Sequence, residues 1–358
     1  MNAFFGLGAG TATESVLALL IGTTAALFAV SVAFSLYAIA LRIGHRLRER
    51  RWEHLTALWQ QPLLSALMDP ETESAVHGFV DKRDRRHFVR FVLEYSRRVR
   101  GEERQALRRL AMPYLDLIAE RADHRRSEVR TRAIQTLGTL GLPKYGPQVL
   151  EGLDDPSPLV SMVAARYLAR KEFPEFAGPV IDHIHRFEGW HRRFLASMLA
   201  EIGPEVSAQL RDRLADPAAS SWVRAVMADA LRMQIDPVAA DLAAEALPGT
   251  QDRDLAAALL RLLAEVGRPE HAPIVRALMD SEDLVVRAQA LYATGVLGDE
   301  RDLPTLFEAM SDPTPWVSLH AARGVRAAGG LERLTELAAS DDGRADVAGQ
   351  VVYEEGEG

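Results

Sequence analysis

Hydrophobic positions fall into three successive patterns along the chain. Residues 16–41, VLALLIGTTAALFAVSVAFSLYAIAL, run for 26 positions without a charged side chain, longer than the roughly 20 residues a helix needs to cross hydrocarbon. Residues 42–68 change to helical spacing with one apolar face, Trp52, Leu55, Leu58, Trp59, Leu63, Leu64 and Leu67, which predicts a helix continuing from the apolar run. From about residue 125 a third pattern takes over: apolar, three residues, small or apolar, three residues, apolar. It recurs at Val129/Ala133/Leu137, Val160/Ala164/Leu168, Phe194/Met198/Ile202, Val223/Met227/Leu231, Leu255/Leu259/Leu263, Val286/Ala290/Thr294 and Val317/Ala321/Val325, with first positions 31, 34, 29, 32, 31 and 31 residues apart. A period this regular predicts repeated supersecondary units.

Shorter apolar segments lie between these helices, among them YGPQVLEGL, FAGPVIDHIH, EVSAQLRDRL, HAPIVRALM and DLPTLFEAM, so each unit is a helix pair. Gly141-Leu142-Pro143, Ile202-Gly203-Pro204, Gly267-Arg268-Pro269 and Leu297-Gly298-Asp299-Glu300 mark turns within units, and Asp155-Pro156, Asp216-Pro217 and Asp312-Pro313 separate units. A lone pair cannot bury its own apolar face, so neighbouring pairs must stack. The stretches SEVRTRAIQTLGTLG, SPLVSMVAARYLAR, DLVVRAQALYATGVLGD and TPWVSLHAARGVRAAGG resemble the HEAT-repeat family in their Pro/Asp boundary, Val-Arg-like entry and alanine-rich helix. The resemblance covers about residues 125–340 and implies a HEAT-like α-solenoid there; with the apolar run, the expected fold is all-α, a single N-terminal transmembrane helix followed by that solenoid. Pro237 and the missing Asp-Pro boundary after Leu247 depart from it over 190–250. The expected organisation is a short non-cytoplasmic tail (1–15), a transmembrane helix (16–41), a basic helical region with a divergent solenoid cap (42–124), the solenoid (125–340) and an acidic flexible tail (341–358).

Charge changes the picture by polarising it. The formal net charge of −8 divides into −1 over residues 1–41, +7 over 42–132 and −14 beyond. Arg42, Arg46, Arg48, Arg50 and Arg51 crowd the C-terminal side of the apolar run, so the positive-inside rule puts residues 1–15 outside and the solenoid in the cytoplasm of a bacterial inner membrane. Thr11 and Glu14 have capping-box spacing before the run, and Tyr37 sits where an interfacial ring belongs. The basic zone is expected to face anionic lipid, and the acidic remainder disfavours nucleic acid. Cysteine is absent, which excludes disulfides, thiolate catalysis and cysteine-ligated metals.

Candidate chemistry is sparse. Gly22, Ala25, Ala26, Ala29 and Ala33 offer a small-residue stripe to another membrane helix. Arg83, Arg85, Arg86, Arg90, Arg97, Arg98, Arg100, Arg104, Arg108 and Arg109, interleaved with Glu94, Glu102 and Glu103, are either paired surface charge or a contact for headgroups or an acidic partner. His183, His185 and His191 lack metal-site spacing, and the Asp154-Asp155, Asp280–Asp283 and Glu300–Asp302 carboxylates read as helix caps rather than acid/base pairs. Trp190, Trp222 and Trp316 stand at the starts of long helices and are expected to pack between repeats.

These features favour a non-catalytic scaffold or accessory subunit without a cofactor, holding the cytoplasmic part of another membrane protein. The resemblance to anchored bacterial HEAT proteins implies an envelope polysaccharide complex with a glycosyltransferase as one setting. A HEAT-like enzyme related to bilin lyases and a self-associating structural membrane protein are the alternatives. The short second helices are expected to line the concave surface, and the acidic balance to favour a basic partner region. Reporter fusions at the C-terminus are therefore expected to be active in the cytoplasm, and joint change of Arg42, Arg46, Arg48, Arg50 and Arg51 to Glu to weaken that orientation. Periplasmic activity of a fusion to the unchanged chain contradicts the assignment.

Overall fold

The computed structural model describes residues 9–356, all in helices, turns and loops, with no strand among them. The chain divides into two compact units, one ending at Tyr114 and the other beginning at Leu115.

The first unit is organised by α1, a single helix from Ala9 to Met68. It begins before the expected span and runs through residues 42–68 without interruption, so apolar run and amphipathic stretch are one rod. Thr11 and Glu14 lie inside this helix rather than ahead of it, and their side chains are outside the described residues. Within the apolar run the Thr23 and Thr24 hydroxyls donate to the Leu20 carbonyl at 3.0 and 2.7 Å, and the Ser35 hydroxyl to Ser31 at 2.9 Å. A helix that meets its own polar demands in this way is suited to an apolar medium. Further along, Leu55, Trp59, Leu63 and Ala66 become buried, one stripe at spacings of four, four and three. The apolar face is thus narrower than its spacing suggests, since Leu58 and Leu64 remain exposed.

That stripe packs on α2 (Glu73–Gly78), α3 (Arg85–Ser96) and α4 (Gly101–Ala111). Trp59 is its anchor: fully buried, edge-on to Phe88 at 5.4 Å, with its indole N–H donating to the Phe79 carbonyl at 2.9 Å. Such a residue satisfies both its apolar body and its single donor.

The second unit opens with α5 (Asp116–Ala119) and continues as pairs of one long and one short helix. These are α6 (Ser127–Thr136) with α7 (Gly146–Glu151), α8 (Pro158–Leu168) with α9 (Ala177–Asp182), and α10 (Arg192–Ala200) with α11 (Ser207–Ala215). Next come α12 (Ser221–Met233) with α13 (Ala239–Ala246), α14 (Arg253–Val266) with α15 (Ala272–Arg276), and α16 (Leu284–Leu297) with α17 (Leu303–Ala309). Helices α18 (Pro315–Ala327), α19 (Leu331–Ala338) and α20 (Ala345–Gly356) complete the unit. All seven apolar triads read from sequence fall on the long helices or their final turns. Ser220, Asp252 and Asp283 accept from amides of the first turns of α12, α14 and α16, and three short helices are entered through tight turns starting at Pro174, Pro204 and Pro269.

Long helices pack directly on one another at α6–α8 and from α10 through α18. Small residues permit this. Gly295 of α16 lies so close to Gly324 of α18 that a Cβ there would overlap the opposite backbone. The irregular stretch 190–250 keeps the same pairing, because Pro237 falls in the turn between α12 and α13 instead of inside a helix.

The acidic tail is a correction. Residues 341–358 read as flexible, yet Ala345–Gly356 forms α20, with Ala348 and Val351 fully buried in a cluster that includes Val325 and Leu334. Two buried side chains a turn apart hold a helix whose remaining surface is polar, which a composition-based reading overlooks.

Helix α12 ends with Ile235 at φ 54°, the one non-glycine residue with positive φ among those described, while the Asp236 N–H bonds back to Leu231 at 3.1 Å. This closing motif normally takes glycine. A branched side chain there costs roughly 1–2 kcal/mol, and Ile235 is mostly exposed, so it recovers little by packing. Ile235→Gly is expected to raise stability by about 1 kcal/mol after allowing for glycine's greater unfolded freedom. Chemical denaturation of both proteins measures this; an unchanged or lower midpoint refutes it.

Candidate functional site

In the first unit the Arg83–Arg109 group separates into paired and unpaired members. Arg90 bonds Glu94 at 3.1 Å and lies over the Trp52 ring at 4.7 Å, and Arg109 grips Glu73 through two nitrogens. Arg85 and Arg98 sit over Tyr114 and Tyr95, while Arg104 and Arg108 are half-buried. Arg83, Arg86, Arg97 and Arg100 are exposed with no ion pair among the described residues. Arg86 and Arg90 share one face of α3, and Arg97, the residue that caps its end, falls in line with them, because residues 4 and 11 positions apart return within about 40° on a helix; Phe88, Val89, Phe91 and Val92 are buried on the other side.

The flank of the apolar run behaves similarly. Arg42, Arg46 and Arg50 are exposed along one line of α1, and Arg51, also exposed, pairs with Asp84 at 2.6 Å. The Arg48 side chain is outside the described residues. Gly22, Ala26, Ala29 and Ala33 do form an exposed stripe of small residues, and the Ala25 side chain is not among those described.

Glu151, Glu175, Glu205, Asp212, Glu245, Glu270 and Glu308 are exposed on the short helices and their entry turns. The long helices carry arginines on their open faces together with the exposed acids Glu128, Asp254 and Glu265. Six residues after the first apolar position of each triad stand Gln135, Arg166, Ala200, Asp229, Arg261, Tyr292 and Arg323, and the last four border two clefts that share Arg232 and Arg261. One, of about 560 Å³, is lined by Arg192, Arg193, Trp222 and Asp229; the other, of about 500 Å³, by Tyr292, His320, Arg323 and Arg326. Two clefts spanning several repeats thus lie on the long helices, while another of about 690 Å³ lies beside the short helices α11 and α13 and the turn before α14. The long helices carry the close inter-repeat packing, so clefts spanning several repeats form between their adjacent open faces.

Buried charge fixes this layer. Asp229 of α12 accepts from Arg192 of α10 at 3.0 Å and from Arg261 of α14 at 3.2 Å, tying three helices. His320 is buried, with Nδ1 at 3.0 Å from the Trp316 carbonyl and Nε2 at 3.3 Å from the Gln289 amide, and burial pushes its pKa down, keeping the ring neutral. Trp316 and Trp190 are substantially exposed and Trp222 half-buried, so these rings rest on the surface rather than packing wholly between repeats.

At the unit boundaries another device repeats. Arg130 donates to the Asp155 carboxylate at 2.6 and 2.8 Å and to the His124 carbonyl at 2.9 Å, while Asp155 also accepts from the Ser157 amide at 2.8 Å. Arg287, Ser281, Asp312 and Thr314 repeat the arrangement, and Arg276 grips Asp302 through two bonds of 2.7 Å. The carboxylates are therefore braces and caps. His183 and His185 bond separately, to Pro179 and Asp154 and to Asp182. A cluster not anticipated from sequence, Asp241, Glu270 and His271, is also engaged internally: Asp241 faces both Arg268 and His271, and Glu270 faces Arg268.

A family model of HEAT repeats matches residues 240–326. The match covers α13 through most of α18, and the same alternation of long and short helices extends on its N-terminal side to α6. No curated protein matches the chain. Over the matched residues the chain is thus similar to HEAT repeats, a family that generally mediates interaction with other proteins.

The braces give a pH dependence. The Arg130 guanidinium, helped by the Ser157 amide, holds the Asp155 carboxyl below the usual carboxylate range, and Arg276 does the same for Asp302 with the Asp299 amide. Burial raises Asp312, but the Thr314 amide and Arg287 outweigh it and lower the net value. A carboxyl depressed in the folded state stabilises above its unfolded pKa of about 3.9 and loses that contribution as pH falls through the folded value. The wild-type melting temperature is expected to fall more steeply below about pH 4 than that of Asp155→Asn/Asp302→Asn, which starts lower at neutral pH. Parallel pH profiles contradict this account.

Proposed function

We propose that the chain is a non-catalytic, membrane-anchored scaffold that holds a cytoplasmic segment of another membrane protein on its HEAT repeats. The observation that carries the reading is α1. Its described side chains from Leu19 to Ile43 are exposed and overwhelmingly apolar up to Leu41, while the same helix buries Leu55, Trp59 and Leu63 in a packed unit. A helix that leaves so much apolar surface uncovered at one end while contributing a core at the other calls for an apolar surrounding at the uncovered end, and this is the one helix among the described residues long and apolar enough to cross a membrane.

On this reading Arg42, Arg46 and Arg50 lie at the cytoplasmic headgroups, with the exposed arginines of α3 and α4 available to anionic lipid or an acidic surface. Tethering supplies high local concentration, so modest contacts by the repeats suffice to retain a partner in the same membrane. The stripe of Gly22, Ala26, Ala29 and Ala33 gives that partner, or a second copy, a place for close helix approach. A glycosyltransferase of an envelope polysaccharide system is one such partner, a choice that rests on family resemblance alone.

Cross-linking mass spectrometry on native membranes, followed by mild-detergent purification, tests the proposal. The expected result is a stoichiometric membrane protein cross-linked both to α1 and to at least two repeats. Recovery of the chain in the soluble fraction, or of a membrane-bound monomer cross-linked to no other protein, removes the scaffold reading. Cross-links solely between copies of the chain favour structural self-association.

A further inference from the structure

The arginine cleft of the long helices already holds an acidic segment, and that segment belongs to the chain itself. Glu354 of α20 accepts from Arg323 of α18 through two bonds, 3.0 and 2.6 Å, and Glu355 stands 3.3 Å from Arg326. The geometry of α20 explains the fit. Ala348 and Val351 bury against α18 and α19, and Glu354 and Glu355, three and four residues beyond Val351, project from the neighbouring face toward the arginines. Each of the paired side chains of Arg323 and Glu354 is 29% exposed, so the contact is partly shielded from solvent.

Toward α12 and α14 the same cleft is less completely paired. Arg232 meets Glu265 only at 3.8 Å, and its Nε is buried without a hydrogen-bond partner. Arg261 shares the Asp229 carboxylate with Arg192, which also stands 3.9 Å from Asp254, so four arginines, Arg192, Arg193, Arg232 and Arg261, face three carboxylates, Asp229, Asp254 and Glu265. Arg193, at the far end, is exposed and has no ion pair among the described residues. Cationic donors thus outnumber nearby carboxylate acceptors where α20 does not reach. Asp229, Asp254 and Glu265 interrupt the line of arginines and repel a backbone charged at every unit, such as a polynucleotide. Tyr292 and Trp222 add surfaces on which peptide side chains can rest.

We infer that the long-helix cleft from α10 to α18 binds an acidic peptide segment of a partner protein, and that Glu354 and Glu355 of α20 are an internal counterpart of that ligand occupying its C-terminal end. The inference rests on the reading of the HEAT repeats as a protein-binding module and gives the chemistry of the partner. It also reverses the expectation drawn from the overall acidic charge, because the acids reside mainly on short helices and turns while the cleft gathers arginines. Binding by an acidic partner competes with α20, so each weakens the other by the same factor.

The test uses the full chain in neutral detergent micelles and fluorescein-labelled hexaglutamate as probe, with affinity read by anisotropy at low salt. Glu354→Gln/Glu355→Gln, which frees two arginines without disturbing buried Val351, is expected to bind hexaglutamate at least about fivefold more tightly than wild type. Arg323→Gln/Arg326→Gln and, separately, Arg232→Gln/Arg261→Gln are expected to weaken binding to the Gln-substituted chain by a similar factor or more, and added salt to weaken it further. Circular dichroism and thermal unfolding identify any variant that has lost its fold; Arg326→Gln alone, altering a partly exposed side chain, then serves in its place with the same expected direction. Equal affinity of wild type and Glu354→Gln/Glu355→Gln, or binding indifferent to every arginine substitution, overturns the inference. Tighter binding of an oligothymidylate of equal charge overturns the peptide assignment. These failures are distinct from failure of the scaffold reading, which is scored by cross-linked partners in native membranes.

Discussion

Each helix pair of the second unit depends on the seam it shares with the next. The long helices are rich in alanine, and two of them, α16 and α18, carry glycine where the other's backbone passes; such faces offer little apolar area per residue but permit close approach. Close approach brings dispersion contacts and water exclusion along a whole helix face. The cost is intolerance, for at Gly295 and Gly324 there is no room for one additional carbon. Stability is consequently distributed over successive seams rather than concentrated in one large core.

Polar interactions are arranged around that constraint. Asp229 ties three long helices because their separation is small enough for one carboxylate to meet arginines from both neighbours. Asp155 and Asp312 each join an arginine of the preceding long helix to an amide at the start of the next, so the turn that ends one repeat also orients its successor. The arginines left on the open face are a consequence of the same packing. Positions too near the seam for a carbon-rich side chain are small, and the next accessible positions carry long side chains that reach over the neighbouring helix.

Much of the architecture was legible in residues alone. The triads from Val129/Ala133/Leu137 to Val317/Ala321/Val325 locate every long helix from α6 to α18, because burial imposes their spacing directly. The apolar face of residues 52–67 was legible but too broad, since spacing does not reveal that α2, α3 and α4 cover only the Leu55, Trp59, Leu63 and Ala66 stripe. The cleft was harder to see. Asp229, Arg261, Tyr292 and Arg323 occupy equivalent positions but differ in chemical type, and their common location appears only when the repeats are aligned on the buried triads. The α20 helix was missed because Val351, Val352 and Tyr353 form a short apolar island within an acidic stretch, and the site that receives Val351 is supplied by α18 and α19.

The continuity of α1 has a mechanical meaning. Leu41 and Leu55 are separated by 14 residues of one helix, an axial distance of about 20 Å at 1.5 Å per residue, with no proline or loop between them at which bending would concentrate. The rod therefore acts as a stiff lever arm, and rotation of its apolar end is carried into the aromatic core around Trp59. In a bilayer, a change of hydrocarbon thickness that alters the tilt of such a helix would swing the attached first unit through an arc, turning a property of the lipid into a displacement of protein above it.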